Sequence, residues 1–191
     1  SSSTGASLTS GGNIGIGTTN PSSKLHVYGG DAIINTLNIG LGAGTNNSAN
    51  TSLGVNSLST NTTGNSNTAI GDQTLSTNTT GSLNVSIGSG TLKYNTTGTG
   101  NTALGHYAMH ANWTGDYNTG IGLGALRNTT ADNNTGIGFY ALYRNTTGTY
   151  HIAHGDEAGH YIADGSTFNA TGEYNIFLGP NTKALADNDQ N

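Results

Sequence analysis

Asn67-Thr68-Ala69-Ile70-Gly71-Asp72-Gln73-Thr74-Leu75-Ser76-Thr77-Asn78-Thr79-Thr80-Gly81-Ser82-Leu83 decides the fold, because the same seventeen-residue pattern precedes it and follows it along most of the chain. Copies begin at Asn50, Asn67, Asn84, Asn101, Asn118, Asn134, His151 and Asn175, with a shorter one at Thr36. The copy at Asn118 is one residue short, and the copy at His151 carries about seven extra residues. A fixed period of this size is the signature of a solenoid, in which each repeat is too small to bury a core alone and must stack on its neighbours.

Within a copy, with the first Asn as position one, apolar residues fall in two columns. Position four holds Leu53, Ile70, Ile87, Leu104, Ile121, Ile137 and Leu178, preceded by Ile39. Position nine holds Leu58, Leu75, Leu92, Met109, Leu126 and Leu142. Two columns separated by a Gly and closed by an NTTG-type turn predict two short strands per coil, in an all-β parallel β-roll. Position four is expected to be the main core column. Position three is small in nearly every copy (Ser52, Ala69, Ser86, Ala103, Gly120, Gly136, Ala153), which suggests that the opposite face of the first strand also makes close contacts. A strand buried on both faces implies a partner subunit. The expectation is a homotrimer whose first strands pack towards a common axis.

The Gly at position five (Gly54 through Gly179) is expected to adopt positive φ or to lie against a neighbouring backbone. The Asn columns at position one and in the turn are expected to hydrogen-bond up the stack. They create Asn-x-Ser/Thr sequons, Asn61, Asn78, Asn95, Asn112 and Asn145 among them, which are read as by-products of the repeat rather than glycosylation sites.

Composition fits this reading. Only 8% of the 191 residues are charged and 32% are hydrophobic, so an ordinary globular core is excluded, while the formal charge of -5 is too small for the usual charged disordered chain. Ten acidic against five basic residues leave no phosphate-neutralising patch, so nucleic acid is not an expected partner. No apolar run approaches the roughly 20 residues that cross a bilayer, and membrane insertion is not expected. The absence of cysteine removes disulfides and thiolate metal sites.

Residues 1–35 depart from the repeat and are expected to form a connector with two short strands, Asn13–Ile16 and Lys24–Val27, around a Pro turn. Residues 36–191 make up the repeat domain. The extra residues near 160–168 are expected to protrude as a loop, the usual place for binding in a solenoid.

Gly12 to Val27, GNIGIGTTNPSSKLHV, resembles a segment that recurs in tail fibres and related appendages of bacteriophages, cyanophages especially, often ahead of an endosialidase-type intramolecular chaperone. The NTAIG and NTALG cores resemble the head repeats of YadA-type trimeric autotransporter adhesins, which form trimeric left-handed parallel β-rolls. The resemblance implies a structural segment of a virion appendage or an extracellular surface, acting in attachment to a host. The repeats here are longer than the adhesin spacing. No chaperone sequence follows Asn191 and neither end carries a polar cap, so a stretch of a longer or processed protein is expected. The alternatives are a subunit of a self-assembling extracellular filament or a bacterial surface adhesin. More remotely, Thr columns at the NTTG turns suggest an ice-binding solenoid.

Catalysis would need paired carboxylates or a base in a groove. Asp156 and Glu157 are sequence neighbours, and Asp116, Asp132 and Asp164 are scattered over separate copies, so no enzyme and no cofactor are expected. Gly40-Leu41-Gly42-Ala43-Gly44 is a chance GxG in a Gly-rich repeat. His154 takes the place of an apolar residue at position four, where a trimer would bring three copies together as a weak candidate for a metal or anion site. Twelve of the thirteen aromatic residues lie at or beyond Tyr94. Trp113, Tyr117, Tyr140, Tyr143, Tyr161 and Phe168 are the candidates for receptor or glycan contact, since exposed rings suit stacking on sugars or burial against another protein.

Overall fold

The computed structural model describes residues 6–8, 12–16, 19–22, 25–27, 32–34, 37–42, 49–161 and 171–183. Among them there is no helix. Three short strands, β1 (Ala6–Leu8), β2 (Ile14–Ile16) and β3 (Leu25–Val27), form a small sheet. β2 pairs antiparallel with β1 and parallel with β3. The two strands read from the alternation are thus present, and Pro21 is buried between them with its carbonyl accepting from the Asn13 side-chain amide at 3.3 Å.

A second sheet of ten strands runs from β4 (Ala32–Ile34) and β5 (Leu37–Gly40) through β6 (Thr51–Gly54), β7 (Thr68–Ile70), β8 (Val85–Ile87), β9 (Thr102–Leu104), β10 (Thr119–Ile121), β11 (Thr135–Ile137) and β12 (Ile152–His154) to β13 (Ile176–Leu178). From β6 to β13 every pairing is parallel and in register, position two on two, three on three and four on four. The chain is a parallel β-solenoid with one coil per repeat. The short copy at Thr36 differs: β5 is antiparallel to both β4 and β6, with Ile39 opposite Leu53. The copy is also shorter, with Asn50 opening the next one fourteen residues after Thr36.

Two further details correct the sequence reading. The second side of each coil is not a β-strand. Position nine has positive φ in every full coil (Leu58 48°, Leu75 50°, Leu92 46°, Met109 50°, Leu126 51°, Leu142 50°), and position seven does so too, as at Asn56, Gln73, Tyr107 and Tyr140. Left-handed residues at alternate positions are incompatible with a pleated strand. They still turn their amides along the stack: Leu58 N–H donates to the Thr74 carbonyl at 3.1 Å, and Leu92 N–H to that of Ala108 at 3.2 Å. The second side is therefore a ladder of turns.

The inner and outer faces of the first strand are also the reverse of the expectation. Position three points inward, with Ser52, Ala69, Ser86, Ala103 and Ala153 buried at 1% exposure or less. Position four, the expected core column, faces outward: Leu53, Leu104 and Leu178 are 37%, 45% and 66% exposed. The reason is volume. A roll this thin holds one large side chain per coil, and position nine supplies it, with Leu58, Leu75, Leu92, Met109, Leu126 and Leu142 fully buried. Each such burial contributes roughly 1.5–3 kcal/mol. A Cβ on Gly120 would meet Met109 Cγ at 2.8 Å, and one on Gly136 would meet Leu126 Cγ at 3.1 Å, so position three of one coil packs on position nine of the coil before. The last coil shows the same rule inverted. Phe177 stands at position three, buried to 2%, and the preceding position nine is Gly159, where a Cβ would meet the Phe177 ring at 2.7 Å.

Most polar groups inside the roll are satisfied by two amide columns, the Ser86 hydroxyl and Asn95 Oδ1 being exceptions. At position one the side-chain oxygen of each Asn accepts the backbone N–H of the next coil's residue (Asn50 from Asn67 at 2.8 Å, Asn84 from Asn101 at 2.9 Å, Asn118 from Asn134 at 2.9 Å). Its Nδ2 donates across the coil to the carbonyl at position fifteen, from Asn84 to Gly98 at 2.9 Å and from Asn101 to Gly115 at 2.8 Å. The same carbonyl receives the turn Asn at position twelve, Asn95 to Gly98 at 3.0 Å and Asn112 to Gly115 at 2.9 Å. Position five makes the close approach expected of it: φ lies between 100° and 149°, and a Cβ on Gly105 would sit 2.7 Å from the Gly122 carbonyl oxygen.

The large-against-small rule can be tested by rebuilding the Phe177–Gly159 arrangement in mid-roll. Ala103→Phe should destabilise by about 1–3 kcal/mol through overpacking against Leu92. Adding Leu92→Gly should recover part of that loss, because the glycine also suits the positive φ there. Urea denaturation of the two single variants and the double gives the coupling. Strictly additive losses would mean that the two positions do not share one space.

Candidate functional site

Position ten follows the buried position nine and so points out of the roll on the turn side. Reading along the axis it changes from Ser59 and Ser76 to Lys93, His110, Arg127, Tyr143 and His160. Coils stack about 4.8 Å apart, so these five side chains stand in one line. Rings from positions seven, eleven and thirteen join them. Tyr94 stacks on Trp113 with centroids 5.2 Å apart and planes 9° off parallel. His110 makes edge contacts with Tyr94 at 4.9 Å and with Tyr107 at 4.7 Å. The Arg127 guanidinium lies 5.2 Å from the Tyr107 ring centre and 5.7 Å from that of Tyr143, and donates to the Tyr143 hydroxyl at 2.8 Å. Tyr143 then meets Tyr140 at 4.5 Å and His160 at 5.0 Å, and His160 stacks on Tyr161 at 4.1 Å. The result is a continuous aromatic and cationic ridge over five coils.

The ridge is seated by glycines. A Cβ on Gly90 would fall 2.5 Å from Tyr107 Cδ1, and Tyr140 stands against Gly124 in the same way one pair of coils further on. Position seven alternates between Gly and Tyr in these coils because each ring lies across the backbone of the coil before it.

Electrostatically the ridge is positive. The His110 pKa is lowered to about 4, chiefly by burial and then by the neighbouring charges of Arg127, Lys93 and His106. Burial, and secondly Arg144, also lower that of His160 to about 4. Asp116 and Asp132, the two carboxylates of coils 84–150, lie elsewhere, at position sixteen. There they replace the hydroxyls that cap the coil before: the Thr99 N–H donates to Asp116 Oδ1 at 2.7 Å and the Asp116 N–H to Asp132 Oδ1 at 2.8 Å. Their role is visibly architectural. Among the described residues no group of three or more His, Cys, Asp or Glu side chains could hold a metal ion.

Of the candidates read from the sequence, Trp113, Tyr140, Tyr143 and Tyr161 come together on the ridge. Tyr117 does not. It stands at position seventeen over Gly100, in the column of Tyr150 and Tyr174, whose rings stack at 4.9 Å. Phe168 and most of the inserted loop lie outside the described residues. His154 is exposed, on the outward row between Ile137 and Leu178, rather than buried. Lys93, Tyr94, His110, Arg127 and His160 are site residues that the sequence reading passes over, although the recurrence of large side chains directly after position nine carries the signal. The five sequon asparagines are buried, and each Nδ2 is engaged by the carbonyl three residues on, so a glycan could be attached there only by breaking the turn. At position thirteen the hydroxyls of Thr62, Thr79 and Thr96 likewise donate to the next coil's carbonyl at 2.7–2.9 Å.

No protein-family model, curated protein or solved structure matches this chain.

The two lowered histidines make stability depend on pH. Above about 6.5 both folded and unfolded forms are neutral at these sites. As the pH falls from 6.5 towards 4 the unfolded chain binds protons that the folded chain refuses, so stability falls, and below about 4 the difference is constant. Melting temperatures measured from pH 7 to 5, above the carboxylate range, should decline in the native chain and decline less in His110→Gln and His160→Gln. An identical slope in all three would contradict the assignment.

Proposed function

We propose that the chain is a rod segment of a homotrimeric fibre in a phage tail fibre or similar virion appendage, contributing to attachment at a host surface. The observation that carries this reading is the outward row at position four. Leu53, Ile70, Ile87, Leu104, Ile121, Ile137 and Leu178 stand in register on one sheet face, with Val85, Ile152 and Ile176 beside them at position two. Such an apolar strip, interrupted by His154 between Ile137 and Leu178, calls for a covering surface on a protein with so few hydrophobic residues. A second and a third copy offer an equally flat, equally apolar strip, and the symmetry of a closed ring satisfies all three at once. The fibre-like Gly12–Val27 segment supports the same reading, as does the acidic pair's purely architectural use.

A second reading, an extracellular filament built by end-to-end stacking, draws on the sheet order, in which β13 is the terminal strand among the described residues. Light scattering separates the two. A mass of three times 19.3 kDa, independent of concentration, is the expected result, and Leu104→Asp with Ile121→Asp should reduce it to one chain with the circular dichroism of the roll retained. A native chain that stays monomeric at micromolar concentration would end the proposal. Mass that keeps growing with concentration would replace the trimer by the filament.

A further inference from the structure

The inward positions three and nine meet inside the roll, so the apolar row at position four and the ridge at position ten lie on opposite faces. If three copies join through the row, the ridge faces away from the axis. Its chemistry is unlike that of the rest of the molecule. Three of the five basic residues of the chain, Lys93, Arg127 and Arg144, lie at positions ten and eleven of coils 84–150, in a protein with a formal charge of -5. Lys93 and Arg127 form no ion pair with any carboxylate among the described residues; their contacts are to the rings of Tyr94, Tyr107 and Tyr143. Cations held over rings without counter-charges leave a positive line with flat apolar surfaces at each end, and Trp113, 47% exposed, caps one of them.

We infer that this ridge binds an acidic polysaccharide whose sugar rings carry carboxylates. The fit is chemical on both counts. A guanidinium recognises a carboxylate through paired hydrogen bonds, and a Lys ammonium pairs with one as a point charge. The faces of Trp and Tyr take the apolar side of a sugar ring, while a polar rim is left in water. Lys93 and Arg127 are two coils apart, about 10 Å, and Arg144 lies one coil further, so the charges repeat along the axis as they do along an extended polyanion. A nucleic acid fits less well. Its denser phosphates need more cations than the ridge offers, and the remainder of the surface would repel them.

The inference deepens the attachment part of the proposed function and rests on it. Calorimetric titration of the full chain with oligogalacturonate at low salt is the test. Binding is expected, weakening as salt is raised. Lys93→Glu and Trp113→Ala should each weaken it about tenfold, the loss of one charge-assisted or stacking contact. Arg127→Lys should weaken it as well, since a point charge cannot reproduce the planar fork. Circular dichroism checks that each variant is folded, and Lys93 and Trp113, both at the surface, keep the test open should Arg127→Lys not fold. No binding by the native chain overturns the inference, as does equal binding of neutral malto-oligosaccharide, tighter binding of oligodeoxythymidylate, or unchanged affinity in Lys93→Glu. A trimer that ignores oligogalacturonate would remove this inference alone. A monomer that binds it would remove the fibre reading alone.

Discussion

The carbonyl at position fifteen is the joint on which each coil turns. It lies inside the roll, where an unpaired acceptor costs about 1–3 kcal/mol, and it receives two side-chain amides at once, one from the Asn that opens the same coil and one from the Asn of the turn. The first of these asparagines is tied through its oxygen to the backbone of the coil beyond, so the closure of one coil and its stacking on the next use the same residue. That explains how a chain with one large buried side chain per seventeen residues folds at all. Its interior is a set of amide ladders flanking a single column of Leu and Met, and the ladders are worth most when every rung is present. Where the rung at position one changes, the replacement keeps the bonds that run along the stack. His151 stands at position one, accepts the Asn175 N–H at Nδ1 at 3.2 Å and passes its own N–H to Asn134, as an Asn would. Thr129 at position twelve is less well matched, and its buried hydroxyl finds no partner in the one coil shortened to sixteen residues.

Much of this is legible in the amino-acid sequence. The period, the parallel stacking, the role of the position-five glycine and the amide columns follow from residues that recur in fixed places and have few alternative uses. What misleads is equally physical. Ile and Leu at position four read as core because hydrophobicity is the strongest cue to burial, yet the side chain next to them, Ala103 or Gly120, is the one that fits. Two bulky columns cannot both point into a roll that holds one. The clue lies in the last coil, where Phe177 arrives at position three together with Gly159 at position nine. The second strand misleads for a different reason. Leu at positive φ is rare, so nothing in the identity of Leu75 or Leu92 announces a left-handed turn; only the stacked geometry imposes it.

The ridge is half visible in the same way. Its aromatic members stand out singly, by size and rarity, and Tyr117 groups with them by those criteria although position seventeen lies on another side of the coil. Alignment of the copies separates the columns: Lys93, His110, Arg127, Tyr143 and His160 share one place in the repeat, and Tyr117, Tyr150 and Tyr174 another. In a solenoid, the position within the repeat is a better guide to what a side chain can touch than its distance along the chain.

This division of positions limits how such a protein can vary. Positions one, three, five, nine, twelve and fifteen are held by the interior, where volume and hydrogen-bond valence allow little exchange. Positions seven, ten and eleven are held only by their neighbours up and down the axis, and even there a large ring at one coil requires a glycine below it, as Tyr107 requires Gly90 and Tyr140 requires Gly124. A large ring on this turn ladder therefore commits two adjacent coils at once. The charge follows the same logic: a lone Arg on a turn ladder would be solvated and mobile, whereas Arg127, fixed between the rings of adjacent coils, presents a guanidinium whose conformational entropy has already been lost on folding. Preorganisation of that kind is what distinguishes a ridge able to select a ligand from a surface that is merely positive.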